Sequence, residues 1–177
     1  LAKIKSDPED ADVKRTEKEL WEKIRTKSLG GRRTGLGITA EGDMLAALGL
    51  TYGSDQSISF SVNIHKTLAL EAYRSSVEMA KERGAFPIFD ASKESSNPMI
   101  LRIKNEDAQL YDDMVKYGRR NISMLTIAPT GTTSLMSQTT SGIEPVFLPF
   151  YKRRKKVNPN DINVNVTFKD ENGESWE

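Results

Sequence analysis

The sequence predicts an α/β fold, helix-rich, with helices covering parallel strands. Three observations carry that expectation. Ile58, Val62, Leu68, Ala69, Ala72, Tyr73, Val77 and Ala80 recur at spacings of three and four, the period of one long helix from Asp55 to about Arg83. Two short runs, around Thr34–Ile38 and Ile122–Ile127, read as strands, and the second is apolar enough to be buried. Each run gives way to sequence that resumes as helix, and strands alternating with helices are the pattern of parallel pairing.

The first segment, Ser6 to about Ser28, reads as a helix with Asp7 as N-cap and Pro8 at the first helical position. Its apolar residues are sparse (Val13, Leu20, Trp21, Ile24), so one narrow stripe packs and the other faces are solvated. Gly30-Gly31 ends it. After the Thr34–Ile38 strand, a helix runs through Met44–Leu48 and closes at Gly49. Gly35 and Gly37 allow two readings, a nucleotide-binding turn or tight strand packing, and packing is the one favoured. Arg32 and Arg33 read as solvated charges at the strand end.

The long helix takes its cap from Ser54 or Asp55 and stops at Gly84. It holds the chain's single histidine, His65, which reads as structural or exposed because no Cys or second His accompanies it. Residues 91–105 are polar and rich in Ser and Asn, with an amphipathic patch at Pro98–Ile103, and read as a surface excursion. A helix from about Glu106 to Tyr117 follows, with Leu110, Met114 and Tyr117 as its inner face and Gly118 as its stop. Beyond the second strand, small polar residues lead into Glu144, whose carboxylate fits a general base, a hydrogen-bond anchor or a surface residue; the anchor is favoured. The basic run Tyr151–Lys156, five of its six residues charged, reads as a solvated edge, since no aromatic platform for nucleic acid accompanies it. The tail alternates through Ile162, Val164, Val166 and Phe168 and turns at Asp170–Gly173, the pattern of a strand and hairpin.

Composition narrows the chemistry. Lys and Arg number 26 against 25 Asp and Glu, a net charge of +1, which gives no argument for a nucleic-acid or membrane-surface partner. No apolar run reaches the length of a membrane span. The absence of Cys removes disulfides, thiolate metal sites and thiyl chemistry from these residues, and a single His removes a His-based metal cluster or a Ser-His-Asp triad. The start at Leu1 is what a processed product or an internal piece of something longer would show.

One stretch has the order of an anion site. Asn121–Met136 runs as strand, small polar loop and helix, with breaks at Pro129 and Gly131 and the helix expected from Thr132 or Thr133. The first backbone N–H groups of such a helix are unpaired and favour an anion in front of them. Thr130, Thr132, Thr133 and Ser134 add hydroxyls, and Gly131 lets backbone approach a ligand closely. No Lys lies in the loop, which separates it from the ATPase phosphate loop. The alternative is an ordinary strand-to-helix turn whose Thr residues cap the helix.

Four ordered stretches carry a resemblance. Arg33–Leu48 (Arg-Thr-Gly-Leu-Gly-Ile-Thr-Ala-Glu-Gly-Asp-Met-Leu-Ala-Ala-Leu), Ala72–Pro87, Arg120–Ser134 and Ser141–Phe147 (Ser-Gly-Ile-Glu-Pro-Val-Phe) are similar to consecutive stretches of the ribonucleotide reductase catalytic subunit. The Ala128-Pro-Thr-Gly-Thr132 form, with the Tyr151–Asp161 run after it, most resembles the adenosylcobalamin-dependent class II enzymes. The resemblance covers roughly residues 20–177. It implies that residues 1–177 are the C-terminal segment of a ten-stranded α/β barrel, with about 152–177 as a peripheral strand or hairpin extension. It also implies that Ala128, Pro129, Thr130, Gly131, Thr132, Thr133 and Ser134 hold the substrate's phosphates.

In that family cobalt–carbon homolysis generates a thiyl radical on a barrel-loop Cys, which abstracts the ribose 3′ hydrogen. A second Cys pair supplies electrons as the 2′ hydroxyl leaves as water. The resemblance therefore implies adenosylcobalamin as cofactor, a ribonucleotide substrate, the remaining barrel segments and a dithiol reductant such as thioredoxin as partners, a homodimer and a cytoplasmic location. The departure is that none of those thiols, nor the family's Asn-x-Cys-x-Glu loop, is in this sequence. No catalytic or metal-binding residue is assigned to it, and the segment alone is expected to be inactive. The large subunit of the diiron-dependent class, or a phosphate- or nucleotide-binding module without catalysis, are the other readings.

Overall fold

The computed structural model describes residues 2–148, 150, 152, 154–158, 160 and 163–177. The chain divides into two compact units, Leu1–Pro145 and Val146–Glu177.

In the first unit the opening helix begins later than the Asp7-Pro8 signal predicts. A short helix α1 (Ala2–Ser6) comes first, and α2 (Ala11–Gly31) is capped by Asp10, whose carboxylate accepts the backbone N–H groups of Asp12 and Val13. One capping residue satisfies two of the unpaired donors at that end, so Asp10 prevails over Asp7. The helix runs through Gly30-Gly31 and stops at Arg32, which takes a left-handed conformation (φ 51°) and donates its N–H to the Ser28 carbonyl. Val13, Leu20, Trp21 and Ile24 remain exposed.

The core forms where α4 (Asp55–Arg83) meets the helices that follow it. The cap at Ser54 and the stop at Gly84 are as the sequence predicts. The expected surface excursion at 91–105 is instead helix α5 (Ala91–Glu94) and helix α6 (Pro98–Glu106). Asn97 caps α6 and Pro98 opens it, and Ile100 and Ile103, one turn apart, are fully buried. Polar composition hid a helix with a narrow apolar edge. The helix expected from Glu106 begins after Asp107, which closes α6 and caps α7 (Ala108–Tyr117). Leu110 and Met114 join Tyr73, Val77, Ile100, Ile103 and Met124 in the core. Tyr117 does not; it is 39% exposed, with the Lys81 and Lys116 ammonium groups over its ring. Arg74–Asp107 at 2.8 Å and Lys81–Asp113 at 2.9 Å tie α4 to α7.

The two predicted strands do meet, and in parallel. Leu36 pairs with Leu125, with Leu36 N–H donating to the Met124 carbonyl (2.6 Å) and Thr126 N–H to the Leu36 carbonyl (2.9 Å). The pairing is a bridge rather than two full strands, and the ten-stranded barrel is not visible among the described residues. The glycines serve close approach: a Cβ at Gly37 would lie 2.3 Å from the Thr126 carbonyl oxygen. The bridged segments lead into α3 (Glu41–Ala47) and α8 (Gly131–Ser137) respectively. No helix among the described residues is long and apolar enough to cross a membrane.

The second unit is a small antiparallel arrangement. Strands β1 (Phe168–Lys169) and β2 (Ser175–Trp176) pair Phe168 with Trp176, and Lys156 bridges Trp176 from the other side. The turn falls at Asp170–Gly173 as expected, organised by Asp170, whose carboxylate accepts the N–H groups of Asn172 and Glu174 and the Trp176 indole. The strand is shorter than the alternating pattern predicts, and Ile162 lies outside the described residues. Within the basic run, Tyr151 and Arg153 also lie outside them. Lys155 pairs with Glu177 and Lys156 with Glu174, as befits a solvated edge. The expected lack of an aromatic neighbour is corrected: Arg154 sits over Phe168, which stacks on Trp176.

Candidate functional site

Two strand–loop–helix units stand side by side, and the loops at the ends of their bridged segments meet. Both turn into their helices through a residue in the left-handed region that is not glycine, Ala40 (φ 64°) before α3 and Thr130 (φ 50°) before α8. Such conformations cost about 1–3 kcal/mol each and persist only where surrounding bonds over-determine them. Those bonds are present. The Thr39 and Thr130 hydroxyls lie 2.8 Å apart, and Gly142 N–H donates to the Thr130 hydroxyl at 2.7 Å. Asp43 and Thr140 clasp reciprocally: Thr140 N–H donates to the Asp43 carboxylate (2.9 Å), and Asp43 N–H to the Thr140 hydroxyl (3.3 Å). Glu41 N–H reaches the Gly142 carbonyl at 3.2 Å. The fit is close enough that a Cβ on Gly42 would lie 2.6 Å from the Glu144 carbonyl oxygen.

The seven residues the sequence singles out divide into two sets. Ala128 and Thr130 are half-buried, and Ser134 is only 5% exposed, its hydroxyl donating to the Gly131 carbonyl at 2.8 Å. Pro129, Gly131, Thr132 and Thr133 are exposed. Of the four expected hydroxyl donors, Thr130 and Ser134 are therefore engaged by the protein, and Thr132 and Thr133 are left at the surface. Helix α8 starts at Gly131, one position before the expected Thr132, and Thr130 makes no side-chain cap bond to it. The loop is thus not a simple Thr-capped turn. A Cβ added at Gly131 would meet nothing within 4 Å, so the space beside Gly131 is open.

Glu144, expected as an anchor through its carboxylate, is exposed, and its backbone N–H makes the local bond, to the Ser141 carbonyl at 3.1 Å. His65 is neither free nor idle. Its Nε2 lies 2.9 Å from the carboxylate of Glu41, whose side chain is 6% exposed. Arg33 is exposed as expected, whereas the Nε of Arg32 is buried and without a partner. Among the described residues no group of three or more His, Cys, Asp or Glu could hold a metal ion. Thr39, Glu41, Asp43 and Thr140 are the residues that sequence reasoning missed. An acid in the first turn of a helix is a legible signal for Asp43, but its partner lies 97 positions away.

The chain matches the family model for the ribonucleotide reductase barrel domain over residues 13–174. It is 34% identical, over 69% of its length, to a vitamin B12-dependent ribonucleoside-diphosphate reductase of Mycobacterium tuberculosis. It is 27% identical, over 86% of its length, to a protein of the same description from Thermoplasma acidophilum. A ribonucleoside-diphosphate reductase subunit alpha of Treponema pallidum is 27% identical over 71% of the chain. The chain spans 15%, 18% and 15% of these relatives' lengths respectively.

Proposed function

The chain belongs to the ribonucleotide reductase barrel-domain family, and on that premise we propose that it supplies the substrate-phosphate cradle of an enzyme converting ribonucleoside diphosphates to deoxyribonucleotides. The observation that carries the reading is the turn at Thr130–Gly131. It leaves the first N–H groups of α8 and the Thr132 and Thr133 hydroxyls at the surface, with open space beside Gly131. Backbone N–H groups at a helix start, with the helix dipole behind them, favour a phosphate oxygen without a lysine. Held by its phosphates, the nucleotide presents its ribose to groups on other segments, because the radical and redox thiols cannot come from a chain without Cys. The segment by itself does not reduce nucleotides.

Adenosylcobalamin is the cofactor this reading assigns to the whole enzyme, supported by the description of the Mycobacterium and Thermoplasma relatives as vitamin B12-dependent. When bound it supplies the radical. No described residue of this chain is assigned to the corrin, and the one imidazole, His65, is paired with Glu41. Other barrel segments hold the cofactor, and a dithiol such as thioredoxin returns the electrons. The enzyme is a cytoplasmic homodimer in this reading. The diiron-class alternative requires a second subunit, and the Treponema relative, at lower identity than the Mycobacterium one, is described as a subunit alpha.

The test is ribonucleotide reduction by the full-length protein with a dithiol and no second subunit, with and without adenosylcobalamin. Turnover only with the cobalamin supports the class II assignment. Turnover that requires a diiron partner moves the protein to the other class. Nucleotide binding without turnover in either arrangement leaves a binding module.

A further inference from the structure

The turn at Thr130 is held in shape partly from outside its own helix. Thr130 sits in the left-handed region with no cap bond to α8, and its hydroxyl is fixed by two groups from elsewhere, the Thr39 hydroxyl and the Gly142 N–H. Gly142 is in turn held by Glu41 N–H, and the segment leading to it by the Asp43–Thr140 clasp. The first strand–loop–helix unit therefore templates the loop of the second across about 90 residues of chain, Thr39 to Thr130 being 91 apart.

We propose that Thr39 and Asp43 are positioning residues for substrate-phosphate binding. They hold Thr130 in its strained conformation and so aim the Gly131–Thr133 N–H groups at one point. This rests on the phosphate-cradle reading. Asp43 acts through Thr140 and touches no substrate, and Thr39 acts through the hydroxyl of Thr130. Without either contact the loop has lower-energy conformations available, and the donors no longer converge.

The experiment compares two probes on the full-length protein, cytidine 5′-diphosphate and cytidine, by equilibrium binding. Thr39→Val and Asp43→Ala each remove one contact; Asp43→Asn keeps a carbonyl oxygen that can accept the Thr140 N–H. The expected result is about a tenfold loss of diphosphate affinity in the first two variants, the size of one charge-assisted hydrogen bond, with cytidine affinity unchanged and Asp43→Asn close to wild type. Gly131→Val is the control for the cradle itself. If Gly131→Val weakens diphosphate binding and Asp43→Ala and Thr39→Val do not, the positioning role is wrong and the cradle stands. If Gly131→Val also leaves diphosphate binding unchanged, both readings fall. A parallel loss for cytidine and its diphosphate in Asp43→Ala would mark general damage and overturn the proposal.

Discussion

His65 Nε2 lies 2.9 Å from a carboxylate oxygen of Glu41, joining the middle of α4 to the first residue of α3. Glu41 is the buried partner, its side chain 6% exposed against 34% for His65. A buried carboxylate is tolerated when it is hydrogen-bonded and costly when it is not. His65→Leu should therefore destabilise the protein by about 1–3 kcal/mol, the penalty of an acceptor left unsatisfied. Replacing both residues with Leu should recover much of that loss, because the unpaired carboxylate is then gone. Denaturant unfolding of the single and double variants checks it. A double variant less stable than His65→Leu alone would refute the account.

Gly131→Val should leave folding intact and weaken nucleoside diphosphate binding. A Cβ there meets no atom within 4 Å, so the protein itself does not oppose the substitution. The space it enters is the space a phosphate would occupy, and about a tenfold rise in Kd corresponds to the loss of roughly 1.4 kcal/mol of contact. The thermal midpoint and the diphosphate Kd, measured together, separate the two effects. An unchanged Kd would count against the cradle.

The sequence made the large elements readable, and with them the loop. The three- and four-residue periodicity of α4 and the Gly84 stop are local, strong signals, and the strand–loop–helix order around Gly131 depends on neighbouring residues alone. The hidden parts are those decided by distant partners. Ile100 and Ile103 look like an isolated patch in a polar stretch until α7 covers them. Nothing near Thr130 announces that its hydroxyl is taken by Thr39, or near His65 that Glu41 will be its partner. The short parallel bridge has the same origin, because a strand's length depends on the strands beside it.

Ile100→Ala tests the buried status of α6 directly. Ile100 is fully buried, whereas its neighbour Leu101 is 41% exposed. Removing a buried Ile side chain costs about 2–5 kcal/mol through lost transfer free energy and the cavity left behind. Leu101→Ala should cost a fraction of that. Urea midpoints of the two variants measure the difference, and equal losses would return residues 98–106 to the surface.

Asp107 should make stability depend on acid. Its carboxylate caps α7 by accepting the Leu110 N–H at 2.9 Å and pairs with Arg74 at 2.8 Å. The Leu110 backbone bond first, and Arg74 second, hold its carboxyl below the ordinary aspartate range. A depressed folded pKa means that the unfolded chain takes up the proton first on acidification. The stabilisation is complete above the ordinary carboxylate pKa of about 4 and is lost as pH falls through the lower folded value. Asp107→Asn keeps an N-capping side chain but has neither the charge for Arg74 nor a proton to bind. The stability gap between wild type and Asp107→Asn should therefore be largest near pH 7 and narrow as pH falls below about 4. Asp107→Ala should lose a further 0.5–2 kcal/mol, roughly, at neutral pH through the missing cap. Urea unfolding at a series of pH values reads both effects. A wild-type-to-Asn gap that stays constant down to the acid limb would show that the Asp107 carboxylate is not linked to folding.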